Sequence, residues 1–271
     1  MRDEPSTDEF QLNTGPILAK ILRLQDDRRY RDRYGLFFVE GVRNFVRAVD
    51  NRFPVDTLVY SERLLTKPLA RKLVRRLKRD GVPYAPVSPE QFRSVSRTER
   101  VSGVAAIVRQ QVRRLEDIAP RNNECWTALG HVRSPGNFGT LIRTSAATGG
   151  AGFILVGDSI DPFDPVVVRA TMGALFRQTF VRTSTEQFRR WVKSYNLPVI
   201  GASPDGTVEY DRFHYRRPTV LMLGDERSGL TGEQRSICHH IVRIPMAEGI
   251  DSLNLSVAGS LLMYQVYRSP T

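Results

Sequence analysis

A chain of 271 residues with 41% hydrophobic content is long enough for one large domain or two ordinary ones, which excludes a disordered chain, and no apolar run of about 18 residues is present to span a membrane. The net charge of +11 and a pI near 10.1 point to a polyanionic partner. Two cysteines, Cys125 and Cys238, exclude a disulfide framework and a four-cysteine zinc site; with four acidic groups and no signal-peptide pattern in the first ten residues, they predict a reducing, cytoplasmic setting.

Residues 1–15 are polar and read as a loose tail. Residues 17–34 are predicted to be helical and basic, with Ile17, Leu18, Ile21, Leu22 and Leu24 for a buried side and Lys20, Arg23, Arg28, Arg29, Arg31 and Arg33 outside; Gly35 stops the helix. A short buried strand follows at 36–39, and Gly41 opens a helix that carries Arg43 and ends near Asn51. The alternation continues with strand 55–60, helix 67–80, strand 83–87, helix 89–95 and strand 103–109, a compact α/β unit. The helix at 67–80 turns Leu69, Leu73, Val74 and Leu77 inward and sets Arg71, Lys72, Arg75, Arg76, Lys78 and Arg79 outside. That face reads either as a solvated surface or as a holder of phosphate. Residues 1–120 hold 24 Lys and Arg against 16 Asp and Glu, whereas residues 121–271 hold 16 against 13, so the charge surplus lies in this half.

Residues 110–123 read as a connector. Strand 126–130 leads into a polar loop in which Pro135, Gly136 and Asn137 force a turn, and a helix is predicted from about Phe138 to Thr148, with Arg143 a turn and a half in. Such strand-to-helix loops are where α/β proteins keep ligands. Further strands are predicted at 153–156, 197–202 and 219–223, and a helix at 166–174 stopped by Gly173. Gly224-Asp225-Glu226-Arg227-Ser228-Gly229 follows the strand at 219–223. It is neither a P-loop nor a dinucleotide fingerprint. It remains a turn that lets backbone approach a ligand, with Glu226 beside it; capping the next helix or pairing with an Arg is an equal reading of Glu226. After a loop at 245–251, residues 252–267 read as a helix. Asn254, Ala258, Leu262 and Val266 share one face, widened by Val257, Leu261 and Tyr264, and the adjacent Ala258 and Gly259 allow close approach of another backbone. Ser252 and Asn254 stand at its start, where N-capping is the ordinary role. His131, His214, His239 and His240, with Cys238, show no zinc spacing, and no metal is expected.

Three ordered blocks resemble the SpoU family of RNA 2′-O-ribose methyltransferases in the SPOUT superfamily: Pro135-Gly136-Asn137-Phe138-Gly139 with Arg143, Leu221-Met222-Leu223-Gly224-Asp225-Glu226 with Gly229, and Ile244-Pro245-Met246 with Ser252-Leu253-Asn254. The first half is similar, more weakly, to the L30e-like substrate-binding domain of some members, through Phe37-Phe38-Val39-Glu40-Gly41 and the strand ending at Val108. The resemblance implies an α/β fold with a C-terminal SPOUT trefoil-knot domain at 124–271, a linker at 113–123 and a smaller L30e-like RNA-binding domain with its tail at 1–112. It also implies a homodimer through the C-terminal domain and S-adenosyl-L-methionine as cofactor, held at Leu223, Gly224, Ile244, Met246 and Leu253. Carried over by motif, Arg143, Asn137, Glu226, Ser252 and Asn254 form the catalytic set, and Arg28, Arg29, Arg33, Arg43 and Arg75 are the expected RNA contacts. Ser134 stands where an acidic residue is often found, and Asp225 where Asn is common. The substrate implied is ribosomal RNA of the large subunit, with transfer RNA, or an inactive RNA-binding assembly factor of the same fold, as alternatives. Whether Arg143 acts as a base or binds phosphate and favours an oxyanion is open from sequence, since guanidinium stays protonated.

Overall fold

The computed structural model describes residues 10–269; residues 1–9 of the expected tail lie outside it. By contact the chain divides into two units, one formed by residues up to Gln110 together with Phe163–Phe176, the other by Gln111–Pro162 and the residues from Arg177 on.

The first unit runs α1 (Thr14–Asp26), α2 (Arg28–Tyr34), β1 (Leu36–Glu40), α3 (Val42–Asp50), β2 (Val55–Tyr60), α4 (Pro68–Arg79), β3 (Tyr84–Pro86), α5 (Pro89–Val95) and β4 (Val104–Arg109). Its sheet has the order β1-β4-β2-β3, with β4 antiparallel to both neighbours and β3 parallel to β2. The one helix expected at 17–34 is two. Asp27 turns extended and caps α2 by accepting from Tyr30 N at 3.1 Å, and Gly35 ends α2 in the left-handed conformation at φ 61°. Residues 10–12 are not loose: Tyr84 N donates to Phe10 O at 2.9 Å and Leu12 N to Tyr84 O at 2.8 Å. Ile17, Ile21, Leu24, Phe38, Phe92 and Ile107 build one core, whereas Leu22 and Leu69, expected inside, are exposed. On the other face the Phe37 ring packs against that of Phe163, tilted by 44° with centroids 4.7 Å apart, which ties the 163–176 segment to this unit.

Arg31 corrects the sequence reading. It is 3% exposed, donates to the Leu24 and Gln25 carbonyls at 2.7 and 3.2 Å, and lies 3.8 Å from Asp164. These acceptors replace the water that a buried guanidinium gives up. Lys20, likewise expected outside, pairs with Asp56 at 3.0 Å.

The remaining elements are β5 (Val112–Arg114), β6 (Cys125–Leu129), α6 (Pro135–Ala147), β7 (Gly152–Val156), α7 (Pro165–Ala170) of the first unit, β8 (Thr179–Thr183), α8 (Thr185–Ser194), β9 (Val199–Ala202), β10 (Val208–Glu209), β11 (Thr219–Leu223), α9 (Gly232–Ile237), β12 (His240–Arg243) and α10 (Leu255–Arg268). The second unit is an eight-stranded parallel sheet in the order β10-β12-β9-β11-β6-β7-β8-β5. The fold class is thus the expected α/β, with a smaller N-terminal α/β unit. Within the segment expected as a connector, Val112–Arg114 pairs with β8, and Leu115 and Ile118 are buried in the core.

Two helix starts differ from the sequence reading. Pro135 and Gly136 do not turn the chain away from a helix: they are the first turn of α6, capped by Ser134, whose Oγ accepts from Asn137 N at 3.3 Å. Proline fits there because its ring fixes a helical φ and the first N–H has no intrahelical partner. α10 begins at Leu255 rather than Ser252, because Asn254 caps it, accepting from Ser256 N at 2.8 Å. Gly259 then lets α10 close on its neighbours: a Cβ there would stand 2.5 Å from Leu141 Cδ2 and 2.8 Å from Leu223 Cδ1. Val257 and Tyr264, expected to widen the buried stripe, are each 48% exposed.

Candidate functional site

In a parallel sheet, loops leaving the carboxyl ends of the strands form a crevice where the strand order reverses. Here β6 lies between β7 on one side and β11 on the other, so the loops after β6 and β11 share that crevice. The loop after β11 is a tight hairpin: Asp225 and Gly229 exchange backbone hydrogen bonds at 2.9 and 3.0 Å. A side chain at Gly224 would run into the backbone of Gly229 and Leu230, which is why the loop needs glycine there.

Asp225 is the hub of this loop. Its Oδ1 accepts from Arg227 N at 2.9 Å, Ser228 N at 3.0 Å and Ser228 Oγ at 3.1 Å, and its Oδ2 meets Arg133 Nε at 2.9 Å and His131 Nδ1 at 2.7 Å. The side chain is 9% exposed. Burial opposes its charge, but donation from Ser228, Arg227, Arg133 and His131 outweighs that and holds the carboxyl far below the usual carboxylate range.

Glu226, next in the chain, reaches across to the start of α6. It accepts from Arg133 N at 3.1 and 3.0 Å, from Ser134 N at 3.2 Å and from Asn137 Nδ2 at 3.4 Å. Burial opposes ionisation here too, yet these donors keep its pKa below the ordinary value. Asn137 Oδ1 in turn accepts from Asn254 Nδ2 at 3.1 Å. Three residues from the three sequence blocks therefore form one chain of hydrogen bonds, Glu226–Asn137–Asn254.

Beside it lies a cleft of about 390 Å³. Its walls come from the end of β9 and the loop after it (Ala202, Ser203, Pro204), from the loops after β11 (Gly224 to Gly229) and β12 (Ile244, Met246), and from Asp251, Ser252 and Leu253 ahead of α10. Leu223, Gly224, Ile244, Met246 and Leu253, expected at the cofactor, all line it, as do Ser252 and Glu226. Asn137 and Asn254 stand next to it through Glu226. Arg143 is not in its wall: it is exposed on α6, and among the described residues it has no hydrogen-bond or ion-pair partner.

The expected RNA contacts lie in the first unit. Arg28 pairs with Asp32 at 3.4 Å, Arg33 lies 5.6 Å from the Tyr34 ring, and Arg29, Arg43 and Arg75 are exposed on α2, α3 and α4. His131, Asp225 and Glu226 bring ligand-type atoms within 4.8 Å of one another, but both carboxylates are taken up by the donors above. His239, weighed as a ligand in the sequence, uses Nδ1 to accept from Val199 N at 3.1 Å.

Sequence reading missed Asp225, Arg133 and His131 as a set. The Asp-x-x-Ser spacing carries the signal for the Asp225 turn. Its two long-range partners carry none, because they lie 92 and 94 positions away in the sequence.

Residues 126–264, just over half of the chain, match the SpoU rRNA Methylase family, and residues 18–106 match the MRM3-like substrate binding domain. The 23S rRNA (uridine(2479)-2′-O)-methyltransferase of Streptomyces viridochromogenes is 31% identical over 90% of this chain and 87% of its own length. The AdoMet-bound rRNA methyltransferase of Sinorhizobium meliloti superposes with a TM-score of 0.87 at 33% identity, covering 95% of this chain and 97% of that one. The SpoU methyltransferase AviRb of S. viridochromogenes with AdoMet gives 0.84 at 29% identity, over 93% and 97%. From its three loops to its full-length relatives, this protein belongs to the SpoU rRNA methylase family.

Proposed function

We propose that this protein transfers a methyl group from S-adenosylmethionine to a ribose 2′-hydroxyl of large-subunit ribosomal RNA. The observation that carries this is the Glu226–Asn137–Asn254 chain at the edge of a cleft built by the family's own loops. The cleft fits the cofactor: its volume is that of a small-molecule site, its walls offer apolar Leu223, Ile244, Met246 and Leu253, and Gly224 lines it where the hairpin folds back on itself. The cofactor supplies a methyl already activated by its sulfonium, so the protein's share of the work is alignment and proton removal.

Glu226 locks the start of α6 to the loop after β11, and Asn137 and Asn254 fix the start of α10 against it. Arg143 stands free on the same helix as Asn137. Its permanent positive charge suits it to hold an RNA phosphate and to favour the developing oxyanion, not to accept the proton. The Streptomyces relative, named for a 23S rRNA uridine, supports the large-subunit substrate. The exposed Val257, Tyr264 and Tyr267 along α10 support a homodimer through the C-terminal unit, tested by mass in solution with Tyr264→Glu.

The decisive test is labelled methyl transfer to bulk ribosomal RNA and to transfer RNA, with nucleoside mass spectrometry, for wild type and Arg143→Ala. A 2′-O-methyl nucleoside in ribosomal RNA from wild type alone is expected, with cofactor affinity of the variant within about twofold. A methylated base would overturn the ribose assignment. Loss of cofactor binding in folded Arg143→Ala would overturn the role given to Arg143.

A further inference from the structure

The first unit holds a second cleft, of about 320 Å³, between α4 and the end of β2 with the loop that follows it. Arg71, Arg75 and Lys78 face it from α4, at a spacing of four and then three residues that places them on one side of the helix. Two of the three are oriented by neutral groups. Arg71 Nε donates to Leu65 O at 2.5 Å, and Lys78 Nζ lies 3.2 Å from Tyr60 Oη and 4.2 Å from the centre of the Tyr84 ring. Among the described residues, none of the three has a carboxylate within 4.0 Å. Other arginines of the chain do: Arg28 with Asp32, Arg97 with Asp26, Arg114 with Glu116, Arg190 with Glu186. The first turn of α4 adds to the imbalance, since it contains no acid and no side-chain cap, so the positive end of the helix is also uncompensated. Glu62 also lines the cleft and sets one negative charge against three positive ones.

Like charges held together in one cleft repel one another, and an anion relieves that repulsion. We propose that this cleft is a phosphate subsite, which takes one phosphodiester of the RNA and so anchors the substrate at the first unit. This rests on the RNA reading above. Arg71 and Lys78 are pre-set by their neutral partners, and Arg75 between them closes on the phosphate. Charge-assisted bonds from guanidinium to phosphate are the strong class of polar contact.

The test uses the full chain, protein-free bulk ribosomal RNA as probe, and Arg75→Gln beside Arg79→Gln. Both positions are exposed on α4, but Arg79 does not line the cleft. Arg75→Gln is expected to weaken RNA binding about three- to tenfold and to lower the slope of log K against log salt by about 0.7 to 0.9. Arg79→Gln is expected to change neither by more than about twofold. Both variants should bind S-adenosylmethionine as wild type does. Equal losses in the two variants would mean a diffuse surface field and overturn the subsite, as would no loss in Arg75→Gln. Inorganic phosphate at constant ionic strength should compete with RNA more strongly in wild type than in Arg75→Gln, and equal competition in the two would overturn the subsite. Wild type that fails to bind RNA would instead bring down the RNA reading itself.

Discussion

The side-chain amide of Asn254 donates to Oδ1 of Asn137 at 3.1 Å across 117 residues of sequence. Asn254 has two duties at once. Its Oδ1 caps α10 through Ser256 N and Val257 N at 2.8 and 3.4 Å, and its Nδ2 ties α10 to the start of α6. The two are separable by substitution. Asn254→Ser keeps a capping oxygen and loses the amide, so melting is expected within a few degrees of wild type while methyl transfer falls at least about tenfold. Asn254→Ala loses the cap as well, at about 1 kcal/mol. Equal activity of Asn254→Ser and wild type would remove the amide bridge from the catalytic account.

Acid should loosen the loop after β11. Asp225 and Glu226 both have folded pKa values below their unfolded ones, which lie near about 4. Their stabilising contribution is therefore present at neutral pH and is lost as the pH falls below about 4 toward the folded values. Urea midpoints measured from pH 7 to pH 3 should show this acid loss in wild type and a flatter limb in Asp225→Asn. At pH 7, Asp225→Ala is expected to lower stability by about 1 kcal/mol, the net worth of the bonds it removes, because the donors it frees on Arg227, Ser228 and Arg133 are open to water. A flat wild-type profile down to pH 3 would contradict the clamp.

Gly224→Ala probes the hairpin directly. The added methyl meets the backbone of Gly229 and Leu230, which cannot swing aside as a side chain would. Calorimetry is expected to show S-adenosylmethionine affinity at least about tenfold weaker, with the first unit still folded by hydrogen exchange. Unchanged affinity would place the cofactor away from this loop.

Neither cysteine should behave as a reactive thiol. Burial pushes Cys125 up to about 12 and Cys238 up to about 11, with Arg217 and Arg235 pulling weakly the other way. Iodoacetamide at pH 8 should leave both unlabelled in native protein and label both in urea. Fast labelling of the native state would show that these positions open.

Much of this protein is set locally, and those parts are legible in its residues. Alternating apolar runs and Gly or Pro punctuation mark most strands and helices, because backbone preference and burial act over a few neighbours. The turn at 224–229 can be seen as a ligand-type turn for the same reason, whereas the loop at 245–251 reads locally only as irregular and is tied to a cofactor by the family resemblance; the cleft also takes Ala202, Ser203 and Pro204, which nothing in the sequence marks. What tertiary structure alone decides is which distant residues meet. The parallel order β9-β11-β6-β7 brings the β6 and β11 loops together, and only then does Asp225 find His131 and Arg133, or Glu226 the start of α6. The same holds for Arg31, whose sequence neighbours read as solvent-facing but whose carbonyl and Asp164 partners are supplied by the fold. Charge and hydrogen-bond partners are matters of distance in space, and a sequence records distance only along the chain.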